Sequence, residues 1–99
     1  MTRQELYERI KRGPVILDGA TGSNLQKAGM PRGCCTEKWI LEHPQALIDL
    51  QSDYVKSGSQ VIDAPTFQAQ PIALEKVGLD KDTEKINETL VRLSRSVSD

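Results

Sequence analysis

The 99-residue chain is poor in the residue types that build many functional sites. It has one histidine, one tryptophan, one phenylalanine and two cysteines, and its longest apolar run lies around Val15 to Leu17. Without a long apolar run we expect neither a membrane-spanning helix nor a secretion signal, and therefore a cytoplasmic protein. Lys and Arg number 13 against 14 Asp and Glu, for a net charge of -1. Because these charges are interspersed, neither a nucleic acid nor a membrane is expected as a partner.

The two cysteines, Cys34 and Cys35, are adjacent. Neighbouring α-carbons lie closer together than an unstrained disulfide prefers, so a structural bridge is not expected. His43 is the one further candidate ligand nearby, which leaves a closed zinc site without its fourth ligand. We therefore expect free thiols in a loop and no metal site built from this chain.

The first third of the chain predicts a helix, a short strand and a long loop. Thr2 and Glu5 form a capping box that begins a helix, and Gly13 with Pro14 ends it. Val15 to Leu17 is a β-branched, apolar run typical of a buried strand, and Asp18 stands at its end. Residues 19 to 36 are rich in glycine, proline and small polar residues, which predicts a loop with room for one helical turn.

The rest of the chain alternates in the same way. Pro44 begins a helix that Gly58 ends, and Gln60 to Asp63 is predicted as a second strand. Apolar residues at helical spacing then predict a brief helix around Ile72 to Val77 and a longer one around Ile86 to Val97. Strands that alternate with amphipathic helices indicate a parallel α/β fold. A parallel pair needs cover on both faces, so two strands call for more chain or a partner.

Two loops at strand ends carry the candidate chemistry, because ligands of α/β folds gather at the carboxyl ends of strands. The first, Leu17 to Asn24, has an acidic residue followed by small residues whose backbone N–H groups are approachable. It matches neither common phosphate-binding loop motif, and a tight turn that needs small residues is an equally good interpretation.

In the second loop, Ala64 to Phe67, Thr66 could hydrogen-bond a polar ligand and Phe67 could exclude water. The alternative is that Phe67 is a core residue and Thr66 a turn former. His43 precedes a helix start, where capping is expected rather than catalysis, and Trp39 is most simply a core residue.

Together these stretches resemble the beginning of the homocysteine S-methyltransferase family. The resemblance covers the runs LDGATGSNLQKAGMPRG and TEKWILEHPQALIDLQSDYVKSGSQVIDAPTF. It implies a (β/α)₈ barrel in which zinc, held by three cysteine thiolates, binds and deprotonates homocysteine for methyl transfer. A full barrel needs roughly 250 residues, so residues 1–99 would be a partial barrel domain of about two βα units. The family's zinc ligands lie on later strands, so no metal role passes to Cys34 or Cys35.

The resemblance does assign the homocysteine-binding end of the pocket. Asp18 matches an aspartate expected to face the ammonium group of the substrate. The neighbouring positions are expected beside the amino-acid moiety or lining the same pocket: Gly19, Ala20, Thr21, Thr36, Thr66 and Phe67. Where many relatives read Thr-Phe-Gly-Ala-Asn-Arg, this chain reads Thr-Phe-Gln-Ala-Gln-Pro, a difference that bears on the identity of the methyl donor and even of the acceptor.

Three hypotheses follow. The first is an N-terminal segment of a homocysteine S-methyltransferase, inactive by itself, whose full-length form transfers a methyl group from a donor such as cobalamin or a folate, as in methionine biosynthesis. The second is a stand-alone, non-catalytic α/β module that self-associates or pairs with another chain. The third is an anion-binding protein that uses the turn from Gly19 to Asn24.

Overall fold

The computed structural model describes residues 2 to 98, and most of them are helical. The elements in chain order are α1 (Arg3–Arg12), α2 (Gly22–Lys27), α3 (Thr36–Glu42), α4 (Pro44–Ser57), α5 (Pro71–Glu75), a 3₁₀ turn (Asp80–Asp82) and α6 (Thr83–Ser98). None of the helices in this part of the chain combines the length and apolar character needed to cross a membrane.

Helix α1 begins at the predicted capping box. The Glu5 backbone N–H donates to Thr2 Oγ1 at 3.1 Å, and the Thr2 N–H donates to Glu5 Oε2 at 3.3 Å. The helix ends at Gly13, as the sequence predicts. None of its residues is buried, so α1 adds little to the core.

Helix α4 also has the predicted boundaries. Pro44 is its first residue, and Gly58 caps its end with a left-handed φ of 114°. A glycine adopts this conformation without the steric cost that a β-carbon brings. The next N–H, that of Ser59, donates to the Tyr54 carbonyl at 3.0 Å and completes the cap.

The core lies between α4, α6 and the short helices, with α4 packing against α2, α3 and α6. Its buried apolar residues are Leu25, Met30, Ile40, Leu47, Ala69, Leu74, Ile86 and Leu90. The apolar stripe predicted for α6 is confirmed, since Ile86 and Leu90 are buried and Leu93 packs beside them. The predicted turn of helix in the first loop and the brief helix before Gly78 are α2 and α5.

Helix α3 is not predicted by the sequence pattern. It starts directly after the glycine- and proline-rich loop, and its N-cap residue, Cys35, makes no side-chain capping bond. Without a capping signal at its start, its helical character depends on packing: Ile40 is fully buried, and Trp39 packs against the same cluster. The side chain of Trp39 is half-buried and packs against the core, which agrees with the interpretation of Trp39 as a core residue.

The two segments predicted as strands are extended and lie side by side, but they form one parallel bridge, Leu17 to Val61, and not a continuous ladder. The Gln60 N–H donates to the Ile16 carbonyl at 2.7 Å, and the Asp18 N–H donates to the Val61 carbonyl at 3.0 Å. Ile16 and Leu17 are 56% and 57% exposed, so the pair lacks the cover that parallel strands need. The (β/α)₈ barrel remains a prediction.

Candidate functional site

The ends of the two extended segments meet at Asp18 and Asp63. The Asp63 backbone N–H donates to Asp18 Oδ2 at 3.2 Å, and these residues lie one position beyond Leu17 and two positions beyond Val61, the bridge partners. This contact joins the first candidate loop to the segment that carries Thr66, three residues farther along the chain. The sequence predicts that the ends of these two segments face one site, and this contact brings Asp18 next to the start of the second loop.

Asp18 lies in an environment that disfavours its negative charge. Burial raises the pKa of Asp18 above its ordinary value of 3.8, and the neighbouring Asp63 carboxyl raises it further. The hydrogen bond from the Asp63 N–H acts in the opposite direction and lowers the pKa. Two carboxyl groups that share a site repel each other when both are ionised, and a cation between them relieves that repulsion. The pair therefore suits a positively charged group.

Tyr54 of α4 contacts the turn that follows Asp18 and fixes its position. The Tyr54 hydroxyl donates to the Ala20 carbonyl at 2.8 Å, and Asn24 Nδ2 donates to the same carbonyl at 2.8 Å. A β-carbon at Gly19 would lie 2.8 Å from the Tyr54 hydroxyl oxygen and 3.1 Å from its ring. A side chain at this position would therefore require the Tyr54 ring to shift. Thr21, half-buried, is the N-cap residue of α2, and its carbonyl accepts from the Leu25 N–H at 2.9 Å.

The second candidate loop is a tight turn with an exposed aromatic ring. The Thr66 carbonyl accepts from the Ala69 N–H at 3.0 Å, so Thr66 is a turn former as the alternative interpretation states. Phe67 is 94% exposed, and the interpretation of Phe67 as a core residue is wrong. Asn87 Nδ2 donates to the Ala69 carbonyl at 2.7 Å and fixes the turn to α6.

Thr36 lies at the first position of α3, beside a buried carboxyl. Its neighbour Glu37 is 4% exposed, and burial raises the Glu37 pKa above its ordinary value of 4.5. The backbone N–H groups of Glu37 and Gln68 lower this pKa, which places the start of α3 against the turn that follows Phe67. Thr36 is the residue before Glu37 at this helix start, and its place in the site stays a prediction.

Gln51 is a further residue of the site that the sequence interpretation missed. It is 1% exposed, and its Nε2 donates to the Asp63 carbonyl at 2.9 Å. The signal for it is a polar residue inside an otherwise apolar stripe, because Leu47, Gln51 and Tyr54 occupy one face of α4. Tyr54 lies at the helical spacing of an apolar stripe, and the sequence pattern does not predict its hydrogen bond to the first loop.

The remaining candidates lie outside this geometry. Within residues 2–98 no group of three His, Cys, Asp or Glu side chains is placed to hold a metal ion, and Cys34 and Cys35 are free. His43 stands at the N-cap position of α4, where its side chain makes no capping bond, and its backbone N–H caps the end of α3 by donating to the Trp39 and Ile40 carbonyl oxygens. Its ring stacks on Trp39 at 4.2 Å, and Nδ1 lies 3.0 Å from the Trp39 carbonyl oxygen.

An open groove of about 570 Å³ lies between α1, α4, α6 and residues 59–64. Its walls include Val55, Val61, Ile62 and Val91, and its lining is mostly apolar. Asp18 and Thr66 are not among its lining residues. A pair of carboxyl groups and a charged ligand need polar surroundings, so we place the candidate site at the two strand ends and not in this groove.

Comparison with known proteins gives one family. Residues 15–99 match the model of the homocysteine S-methyltransferase family. The chain is 31% identical to betaine–homocysteine S-methyltransferase 1 of Pongo abelii and 32% identical to that of Bos taurus, in each case over 98% of this chain and 25% of the relative. It is 28% identical to an S-methylmethionine–homocysteine S-methyltransferase of Pongo abelii, over 97% of this chain and 26% of that protein. The chain thus spans about a quarter of the length of these relatives, and no solved structure matches it.

Proposed function

The chain belongs to the homocysteine S-methyltransferase family, and we propose that it forms the part of the active site that binds the amino-acid end of homocysteine. The observation that carries the proposal is the contact of Asp63 N–H with Asp18 Oδ2, which joins the two candidate loops. The names of the relatives, two of which include betaine and one S-methylmethionine, all include homocysteine. Homocysteine is therefore the substrate that we propose for this chain.

We assign the substrate ammonium group to Asp18. A carboxylate with a second carboxyl beside it gains from a nearby cation, and a charge-assisted hydrogen bond to an ammonium group is stronger than a neutral one. The same charge disfavours a phosphate or another anion on the turn that follows, which argues against the anion-binding hypothesis. The backbone of Gly19, Ala20 and Thr21 would then lie along the amino-acid moiety.

The second loop would bind the rest of the substrate. Thr66 and Thr36 offer hydroxyl groups on the side where α3 meets the loop, and each can donate to or accept from the substrate. Phe67, at 94% exposure, has a large apolar surface that would become buried when a ligand or another segment covers it. We infer that its ring closes the pocket against water.

In the proposed reaction, the homocysteine thiol loses its proton and the sulfur attacks a methyl group on the donor. A carbon–sulfur bond forms as the bond from methyl to donor breaks, and the electron pair of that bond leaves with the donor. The family resemblance implies zinc at the thiol, but the described residues of this chain offer no set of three ligands for it. The role that we give to this chain is to hold and orient the amino acid.

We propose that methyl transfer takes place in a (β/α)₈ barrel to which this chain contributes about two βα units. The family match covers residues 15–99 and the relatives are about four times as long, which supports this proposal over a stand-alone, non-catalytic module. The methyl donor is a separate question, because betaine and S-methylmethionine are named for the relatives. A cobalamin or folate donor is compatible with the same homocysteine-binding residues.

Isothermal titration calorimetry with L-homocysteine tests the assignment of Asp18. Asp18→Asn keeps the size of the side chain and removes its charge, so we expect the dissociation constant to rise about tenfold or more, which corresponds to about 1.4 kcal/mol or more. Asp53→Asn, at an exposed position of α4, is the matched control and should bind as the unaltered chain does.

A second ligand separates charge from shape. 4-Mercaptobutanoate lacks the ammonium group of homocysteine and keeps its carboxylate, so it should bind the Asp18→Asn variant at least as tightly as the unaltered chain. If Asp18→Asn left the affinity for L-homocysteine unchanged, the assignment of the ammonium group to Asp18 would be wrong.

A further inference from the structure

Two side chains of α4, three residues apart, reach the two walls of the site separately. The Tyr54 hydroxyl donates to the Ala20 carbonyl of the first loop at 2.8 Å. Gln51 Nε2 donates to the Asp63 carbonyl at the start of the second loop at 2.9 Å. Residues at positions i and i+3 lie on one helix face, so a single rigid element contacts both walls.

The buried amide of Gln51 is costly as a packing residue. It is 1% exposed, and its Oε1 is buried without a hydrogen-bond partner among the described residues. A buried polar atom without a partner costs free energy that an apolar side chain of similar size would avoid. Gln51 is therefore poorly explained by stability alone, and its bond to the Asp63 carbonyl is the contact that an apolar residue cannot make.

Asp63 is held from two sides as a result. Its carbonyl accepts from Gln51, and its N–H donates to Asp18 Oδ2 at 3.2 Å. The position of Asp18 relative to the second loop therefore depends on α4 through Gln51. The side chain of Gln51 itself is in contact with the backbone, and we do not place it against the substrate.

Tyr54 acts on the first wall in a comparable way. Its ring lies under Gly19, and its hydroxyl both donates to the Ala20 carbonyl and accepts from Asn24 Nδ2 at 3.1 Å. The ring and the hydroxyl together fix the distance between the turn and α4. Removal of the hydroxyl alone would leave the ring packing in place and release the carbonyl.

The extended segments do not fix the separation of the walls by themselves. Backbone hydrogen bonds around the bridge Leu17 to Val61, with side-chain bonds of Ser59 and Gln60, join the segments as far as Val61. A regular parallel ladder would continue with evenly spaced backbone hydrogen bonds to Asp63, where the walls of the site begin. We propose that α4 sets the spacing between the two walls of the homocysteine site, with Gln51 and Tyr54 as positioning residues. The proposal rests on the proposed function for the identity of the ligand, but not for the geometry that it describes.

Hydrogen exchange of backbone amides tests the geometry without any ligand. In Gln51→Leu we expect the Asp63 amide to exchange about tenfold faster than in the unaltered chain, a factor that corresponds to about 1.4 kcal/mol of lost local protection. The Leu90 amide in the middle of α6 should exchange at its original rate. Gln26→Leu, at an exposed position of α2, is the control and should change neither amide.

A second variant keeps the test independent of the stability of Gln51→Leu. Tyr54→Phe retains the ring, so we expect its melting temperature to change little and its dissociation constant for L-homocysteine to rise about three- to tenfold. Tyr7→Phe, at a 52% exposed position of α1, should match the unaltered chain in both measurements. A Tyr54→Phe chain that lost stability while its affinity stayed the same would overturn the positioning role of Tyr54.

The two proposals fail in different ways. If the unaltered chain bound no homocysteine, the proposed function would fall, while the exchange rate of the Asp63 amide would still decide whether α4 positions the walls. If Gln51→Leu left that rate unchanged, or raised the rates of Asp63 and Leu90 equally, Gln51 would be a structural residue only and the inference would be overturned.

Discussion

At the scale of single residues, the burial of Glu37 makes the free energy of folding depend on pH. Its side chain is 4% exposed, and its Oε2 is buried without a hydrogen-bond partner in the part of the chain that the structure describes. Burial raises its pKa above 4.5, so the folded chain holds the proton more tightly than the unfolded chain does. The ionised form therefore opposes folding.

We predict that Glu37→Gln stabilises the chain near neutral pH. In the unaltered chain, stability decreases as the pH rises from the ordinary pKa of 4.5 through the higher pKa of the folded state, because the folded state binds more protons in that window. The variant lacks this loss and should melt at the higher temperature at about pH 7, and the gap should close below about pH 4.

Thermal melts as a function of pH give the measurement. Glu42→Gln, at an exposed position of the same helix, is the control and should show no such gap. The raised pKa of Asp18 acts in the same direction in both chains, so it cancels in the comparison. A difference between Glu37→Gln and the unaltered chain that stayed constant from pH to pH would contradict this explanation.

The position of Asp18 at a strand end could be predicted from the sequence, because a β-branched run stops at an acidic residue followed by glycine. The contacts of Gln51 and Tyr54 could not. These hydrogen bonds join residues 12 and 34 positions apart, and no local pattern specifies which backbone carbonyl a helical side chain reaches. The exposed placement of Phe67 was equally hidden, because the sequence pattern does not say which side of a tight turn faces solvent.

At the scale of elements, α4 and α6 form the largest helix contact and hold the core together. Leu90 of α6 is fully buried, whereas its neighbour Val91 is 50% exposed on the same helix. We predict that Leu90→Ala lowers the free energy of unfolding by about 2 to 5 kcal/mol, through lost burial and the cavity that remains. Val91→Ala should change it by about 0.5 kcal/mol or less.

Urea titration followed by circular dichroism measures both free energies. If Leu90→Ala and Val91→Ala lowered the free energy of unfolding equally, the burial of Leu90 in the core would be contradicted.

The helices with clear start and stop signals are those that the sequence predicts. Helix α1 has a capping box, α4 begins with proline and ends with glycine, and α6 has a long apolar stripe. Helix α3 has no such signal and depends on the burial of Ile40. The sequence pattern could not predict whether the two extended segments form a regular sheet. Parallel strands need further strands and covering helices, which two segments do not provide.

At the scale of the whole molecule, the core is small and the extended segments are open. Among residues 2–98 eight apolar residues are buried, while Ile16, Leu17 and Val55 are between 41% and 57% exposed. The chain corresponds to about a quarter of its relatives. We infer that these apolar surfaces are covered in the barrel that we propose for the complete enzyme, and that the homocysteine-binding loops are already formed in this portion.

A heteronuclear NMR titration of the 99-residue chain with L-homocysteine tests whether these loops bind the amino acid. We predict that the amides whose resonances move most belong to two groups, residues 18–21 and residues 63–67, and that both groups move with one dissociation constant. Resonance shifts confined to the apolar groove around Val61 and Val91, or no shifts at any ligand concentration, would contradict it.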